Sequence, residues 1–231
     1  MCGIAGQYCF LGGEPDRELL ARMSERLIHR GPDGVGTGIR GSMGMVHRRL
    51  AIIDLSEDGL QPMTNEDGTL WLVYNGEIYN YVELREELIK GGHRFRSQSD
   101  TEVILHAYEE WGTGCLRRFN GMWAFALWDE RAEQLFCARD RFGIKPFYYT
   151  GIDGSFLFAS EIKALLEHPD AGKRPDDETL GTYLAWGVQD LSDRTMFDGI
   201  LQLEPAHALI VTKDGARTPY RYWDVTINDA L

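Results

Sequence analysis

Hydrophobic and polar positions along this chain follow two periods, one helical and one of alternating strands. Residues 2–10 run small and apolar, the mark of a strand covered on both faces. Leu19, Leu20, Met23 and Leu27 then recur at helical spacing within residues 16–28, behind Pro15 and Asp16, residue types that open helices. A turn-rich stretch, His29-Arg30-Gly31-Pro32-Asp33-Gly34, and several more glycines lead to strand-like runs at 44–53 and 70–74. Asn80 with Glu83, and Ser99 with Glu102, form capping-box pairs ahead of helices reaching about Lys90 and Trp111. From Met122 onward the period shortens. Short β-prone runs recur at 123–128, 134–138, 147–149 and 156–159, with turn residues between them. Helical stretches at 161–167 and 178–186 follow, and strands at 208–212 and 221–225 close the pattern. Many short strands joined by tight turns predict antiparallel sheets with helices over their outer faces, an α+β domain spanning residues 1–231.

Composition narrows the function classes. Apolar residues make up 43% of the 231 positions, ordinary for a globular domain. No apolar run approaches the roughly 20 residues of a membrane-spanning helix. The opening MCGIAGQYCFLGG lacks the basic start of a secretory signal, so a cytoplasmic location is expected. With 36 acidic against 24 basic residues the formal charge is −12, which would repel nucleic acid. Cys2, Cys9, Cys115 and Cys137 make no C-x-x-C pair, and a chain of this size does not need disulfides. The six histidines, at 29, 47, 93, 106, 168 and 207, show no ligand spacing, so no metal site is expected. Gly36, Gly38 and Gly41 satisfy G-x-G-x-x-G, yet no helix opens after them, which discounts a dinucleotide site.

The chemistry concentrates at the N-terminus. Removal of Met1 would leave Cys2 carrying a thiol and a free α-amine on one residue. Such an amine titrates near 7.7–8.0, so part of it is neutral at cellular pH and can act as the base for its own nucleophile. On its own, Cys2 would be one more incidental thiol. Gly3 and Gly6 beside it would let the backbone bend and a substrate approach closely.

The string MCGIAG resembles the start of N-terminal-nucleophile glutamine amidotransferases. Further motifs resemble the asparagine-synthetase branch: His29–Gly34 as HRGPDG, His47–Asp54 as HRRLAIID, and Tyr74–Asn80 as YNGEIYN. SDTE from Ser99, RDRFGIKP from Arg139 and FASEIKAL from Phe158 continue it in order over nearly the whole chain. The resemblance implies a four-layer αββα sandwich of two mostly antiparallel sheets. It implies hydrolysis of L-glutamine by Cys2 through a thioester, with Asn75 and Gly76 as the oxyanion hole. Without that context Asn75-Gly76 reads as a hairpin turn. Arg49 would take the glutamine α-carboxylate in a bidentate pair, and Glu77 and Asp100 its α-ammonium. Arg30 and Met122 resemble positions leading toward an ammonia channel. The motifs from Arg139 and Phe158 are read as scaffold or domain contacts.

Asparagine synthetases also carry a Ser-Gly-Gly-x-Asp-Ser/Thr loop in an ATP-dependent domain, and no such loop occurs here. The expectation is a truncated chain or one with a separate synthetase partner, with no cofactor of its own and with ATP and magnesium confined to the missing domain. L-glutamine and a synthetase domain or subunit are the implied partners, and a homodimer stays open. So do a different acceptor, a silent glutamine-binding homologue and an N-terminal-nucleophile peptidase.

Overall fold

Period-two alternation gives each strand two differently buried faces, and the chain uses both. In the segment Ser155–Ala159, Phe156 and Phe158 point into one apolar cluster while Leu157 and Ala159 join another. A strand covered on both faces must lie in an inner layer, and this chain builds two such layers. The computed structural model describes residues 1–152, 154–189 and 191–226. Its elements begin with β1 (Gly3–Cys9), α1 (Arg17–Arg26), β2 (Gly34–Arg40), β3 (Met43–Arg49), β4 (Met63–Thr64) and β5 (Leu70–Ile78). Next come α2 (Tyr81–Lys90), α3 (Asp100–Trp111), β6 (Gly121–Asp129), β7 (Gln134–Arg139), β8 (Tyr148–Ile152) and β9 (Ser155–Ala159). The chain continues through α4 (Ile162–Leu165), α5 (Asp177–Trp186), β10 (Leu201–Gln202), β11 (His207–Thr212) and β12 (Arg217–Arg221).

One antiparallel sheet runs β10, β8, β9, β1, β3, β2, and the second runs β12, β11, β7, β6, β5, β4. Ile4, Tyr8, Val73, Trp128, Phe156 and Phe158 fill the space between them. Helices α1 and α4 cover the outer face of the first sheet, and α2 and α3 that of the second. The αββα order expected from the resemblance is the order found.

Local signals succeeded where a side chain had no better partner. Asp16 caps α1, accepting from the backbone N–H of Glu18 and Leu19. The two capping boxes close only in part. Ser99 accepts from the Thr101 N–H, but Glu102 turns back to the N–H groups of Arg96 and Ser97 and to the Ser97 hydroxyl. Asn80 does not cap α2; it donates to the Arg118 carbonyl and accepts from the Asn120 N–H, 3.0 and 2.9 Å away. β3 stops at Arg49 rather than 53, because the Leu50 and Ala51 N–H groups leave the ladder for Cys2 Sγ and Asp33 Oδ2. β2 lies in the stretch read as turns. Its Gly36 is packed so tightly against the loop after β3 that a Cβ would fall 1.8 Å from the Gln61 carbonyl oxygen. β12 ends at Arg221, where the expected strand 221–225 begins; Tyr222 is instead drawn into the core with its hydroxyl donating to the Arg139 carbonyl.

Gly6 serves packing rather than substrate approach. A Cβ there would sit 2.5 Å from the Phe158 ring and 2.6 Å from the Gly44 carbonyl oxygen. Gly6→Ala is therefore expected to lower stability by about 1–3 kcal/mol, the usual effect of overfilling a close-packed interior. Denaturant unfolding measures it, and an unchanged midpoint would contradict the assignment.

Candidate active site

β5 is nine residues long, but its outer neighbour β4 pairs only with Leu72 and Trp71. Beyond that short partner, the free edge of β5 must find other acceptors. The Tyr74 N–H donates to Gln61 Oε1 at 2.6 Å, and the Ile78 N–H to Asp100 Oδ2 at 2.9 Å. Residues two apart in a strand send their N–H groups the same way, so the Gly76 N–H faces this edge between those two anchored donors. Its partner Trp123 turns its own N–H and C=O toward Asp140, consistent with that register. The hairpin reading of Asn75-Gly76 is thus overturned. Both residues lie mid-strand, opposite Ala124 and Trp123, and a Cβ on Gly76 would meet the Met122 carbonyl at 2.4 Å.

Asn75 shares the face of Val73, directed between the two sheets. Its side-chain nitrogen is buried and has no hydrogen-bond partner among the described residues. An unmet buried donor costs about 1–3 kcal/mol, and because Asn75 borders the cavity described below, a ligand there could meet it.

Cys2 enters from the other sheet, immediately before β1. Its Sγ accepts from the Leu50 N–H at 3.3 Å and lies 3.6 Å from the Leu50 carbonyl. Burial raises its thiol pKa; the Leu50 N–H, the N-terminal ammonium, Arg49 and Lys145 pull it back only in part. Arg30 holds the backbone behind it, with Nε donating to the Cys2 carbonyl at 2.8 Å and Nη1 to Glu161 at 2.9 Å. Ser160 pins the start of β1, its Oγ accepting from the Ile4 N–H at 3.0 Å.

Cys2, Arg49, Asn75, Gly76, Glu77, Asp100 and Met122 all line a single cavity of about 430 Å³. Of the expected site residues only Arg30 stands outside its wall. Arg49 is nearly buried, and its guanidinium donates to the carbonyls of Ser56, at 2.7 Å, and Asp54. Asp100 is buried too, its Oδ2 accepting from the Tyr74 hydroxyl at 2.8 Å. Burial raises its pKa, and the Ile78 N–H and Tyr74 hydroxyl counter this without cancelling it. A cation arriving beside Asp100 would restore its ordinary acidity.

Among the further residues that border the cavity without a role from sequence are His47, Gln61, Tyr74 and Lys145. Burial drives His47 down to about 3, so the imidazole is neutral at pH 7. Lys145 comes from the stretch read as scaffold. Its neighbours do serve as scaffold, since Arg139 donates to the carbonyls of Lys145, Gly143 and Leu203, and Asp140 accepts from three backbone N–H groups of residues 142–145. The outcome of that bracing is a lysine in the cavity wall, its Nζ 3.4 Å from Met1 Sδ. Nothing in its spacing flagged it, because only the fold brings residue 145 to residue 2.

Two antiparallel sheets between helical layers, with a cysteine entering the inter-sheet mouth at the chain start, define the N-terminal-nucleophile amidotransferase fold. A model of the family described as glutamine amidotransferase domain matches residues 1–223, and the chain belongs to that family. It is 44% identical to asparagine synthetase (glutamine-hydrolyzing) 3 of Bacillus subtilis (strain 168), over 97% of this chain and 37% of that protein. A putative asparagine synthetase (glutamine-hydrolyzing) 2 of Methanocaldococcus jannaschii is 38% identical over 97% of this chain and 47% of its own length. The chain thus spans less than half of each of these relatives. Among solved structures, glutamine phosphoribosylpyrophosphate amidotransferase from B. subtilis shares the fold, with a TM-score of 0.70 at 21% identity over 98% of this chain and 50% of that one. Among the described residues no helix is long and apolar enough to cross a membrane.

Glu161 makes the support of Cys2 testable through pH. Burial alone would raise its pKa, but hydrogen bonds from Arg30, Lys163 and His29 outweigh that and hold it at about 2, below its ordinary 4.5. A depressed carboxyl contributes stability that is complete above the ordinary value and fades as pH falls toward 2. Glu161→Gln should therefore flatten the loss of stability between about pH 5 and 2.5. Urea unfolding across that range measures it; an equally steep loss in the variant would contradict the assignment.

Proposed function

We propose that this chain hydrolyses L-glutamine to glutamate and ammonia on Cys2, and that the ammonia serves an ATP-dependent amidation carried out by a synthetase domain or subunit. The observation that carries this reading is the unpartnered buried amide of Asn75 beside the Gly76 N–H, in one cavity with the Cys2 thiol. Two fixed donors near one nucleophile suit the oxygen of a tetrahedral intermediate, where such a donor is worth about 2.7–4 kcal/mol.

In the reaction, the Cys2 thiol gives its proton to a base and Sγ forms a bond to the side-chain amide carbon of glutamine. The carbon–nitrogen bond then breaks, and the nitrogen takes a proton and leaves as ammonia. Water attacks the resulting γ-glutamyl thioester, releases glutamate and returns the thiol. Arg49 pairs with the α-carboxylate, and Asp100 and Glu77 with the α-ammonium. The zwitterion is what separates this reading from a peptidase, whose substrate would bring neither terminal charge to the site.

The base we assign is the α-amine of Cys2, which exists only once Met1 is removed. With Met1 in place the amine belongs to Met1, which itself lines the cavity. Met122 stands in the cavity wall where an exit for ammonia would begin, whereas Arg30 acts from behind by holding the Cys2 carbonyl. The names of the relatives favour aspartate as acceptor and asparagine as product. ATP and magnesium are assigned to the synthetase domain. The acidic composition supports a reading without nucleic-acid partners, and a cytoplasmic setting is part of the proposal.

The intact mass of active protein should correspond to loss of Met1, and Cys2→Ala should abolish ammonia release from glutamine while leaving the thermal midpoint close to that of the parent. Ammonia release by Cys2→Ala at the parental rate would refute the proposal. Asn75→Leu removes the orphaned amide at similar volume, so stability should hold or rise while kcat falls about 10²–10³-fold. A variant with full activity would remove Asn75 from the oxyanion site.

A further inference from the structure

We infer that His93, His106 and Glu109 form a binding site for a tetrahedral divalent cation of the zinc class, placed between the turn after α2 and the middle of α3. Histidine spacing in the sequence gave no such pattern, because the fold, not a motif, brings positions 93 and 106 together.

The chain reverses at Gly91-Gly92, where Gly92 takes φ +104°, a left-handed value open to glycine. The His93 N–H then donates to the Leu88 carbonyl at 3.0 Å, which fixes the turn against α2. This places His93 Nδ1 3.2 Å from His106 Nδ1 and 3.4 Å from Glu109 Oε2, while His106 Nδ1 and Glu109 Oε2 are 2.9 Å apart. A tetrahedral zinc site with metal–nitrogen bonds of about 2.0–2.1 Å has ligand-to-ligand edges of about 3.3 Å. The three atoms therefore trace one face of such a tetrahedron.

Outer hydrogen bonds orient two of the three ligands, His93 and Glu109. His93 Nε2 lies 3.1 Å from Glu110 Oε2, so its proton belongs on that outer nitrogen and the Nδ1 lone pair faces inward. His106 Nε2 faces Glu102 Oε1 at 3.7 Å. Asn65 Nδ2 donates to the other oxygen of Glu109 at 2.9 Å, leaving Oε2 for the cation. A carboxylate hydrogen-bonded behind His93 and an amide behind Glu109 are the outer contacts that metal ligands need. A single proton on His106 Nδ1 would serve two acceptors at once and satisfy neither fully, whereas a divalent ion meets all three. His106 is buried, but the side chains of His93 and Glu109 are 15% and 26% exposed, so a water from solvent can complete the fourth position. A bound ion would pin the α2–α3 layer, on residues that do not line the cavity holding Cys2.

The test is zinc titration by calorimetry, with cobalt(II) as an absorbance probe, on the full chain carrying Cys2→Ala so that the accessible thiol takes no part. One equivalent of zinc should bind, cobalt should show the intense bands of tetrahedral coordination, and zinc should raise the thermal midpoint. His93→Gln and Glu109→Gln should each weaken binding more than about tenfold and lose the zinc-induced rise, while His207→Gln should retain both. Absence of zinc binding would show that these atoms share only a proton and would overturn the inference. Binding that persists unchanged in His93→Gln would overturn it as well, by placing the ion elsewhere.

Discussion

A strand that outruns its neighbour leaves backbone donors that must be met, and this constraint organises the catalytic end of the molecule. β4 covers only the first part of β5. Gln61 and Asp100 meet the exposed N–H groups of Tyr74 and Ile78, and both come from elements that must be held against the edge. Gln61 lies on the loop packed over β2, and Asp100 starts α3. The one edge position between them is a glycine with no space for a side chain. Two neighbours are thereby fixed at the cost of long-range packing, and the edge between them leaves the Gly76 N–H turned the same way, next to the Asn75 amide, which has no partner among the described residues.

The charges of the cavity follow from the same burial. Asp100 and Cys2 are both pushed toward their neutral forms, because nothing in the folded chain compensates their desolvation fully. A zwitterion with an ammonium and a carboxylate at fixed separation would relieve Asp100 and meet Arg49 in one binding step. On the proposed reading, specificity for a free amino acid rests on an ammonium beside Asp100 and a carboxylate beside Arg49, charges that a neutral ligand would not supply.

Much of this was legible in the sequence, for physical reasons that differ by element. The strands 123–128 and 134–138 announce themselves by apolar content alone, and structure extends them by only a few residues. Asn75-Gly76 was misleading as local grammar, since the same dipeptide that makes a turn also suits a strand edge stripped of side chains. Motif order, not turn chemistry, singled it out as a candidate. β2 was hidden because its glycines answer to a neighbouring loop rather than to strand propensity. His47, Gln61, Tyr74 and Lys145 entered the site through tertiary placement, which no spacing rule encodes. The same holds for His93 and His106, whose meeting depends on one left-handed glycine.

The proposed chemistry depends most directly on whether the Sγ of Cys2, once Met1 is removed, is the atom that glutamine meets. Incubating the Met1-free protein with an electrophilic γ-ketone analogue of L-glutamine and mapping the adduct by peptide mass spectrometry decides it. The expected result is one equivalent bound to Cys2, blocked by excess L-glutamine, with Cys9, Cys115 and Cys137 untouched in their buried positions. Adducts spread over other cysteines, or none on Cys2 of the Met1-free chain, would contradict it.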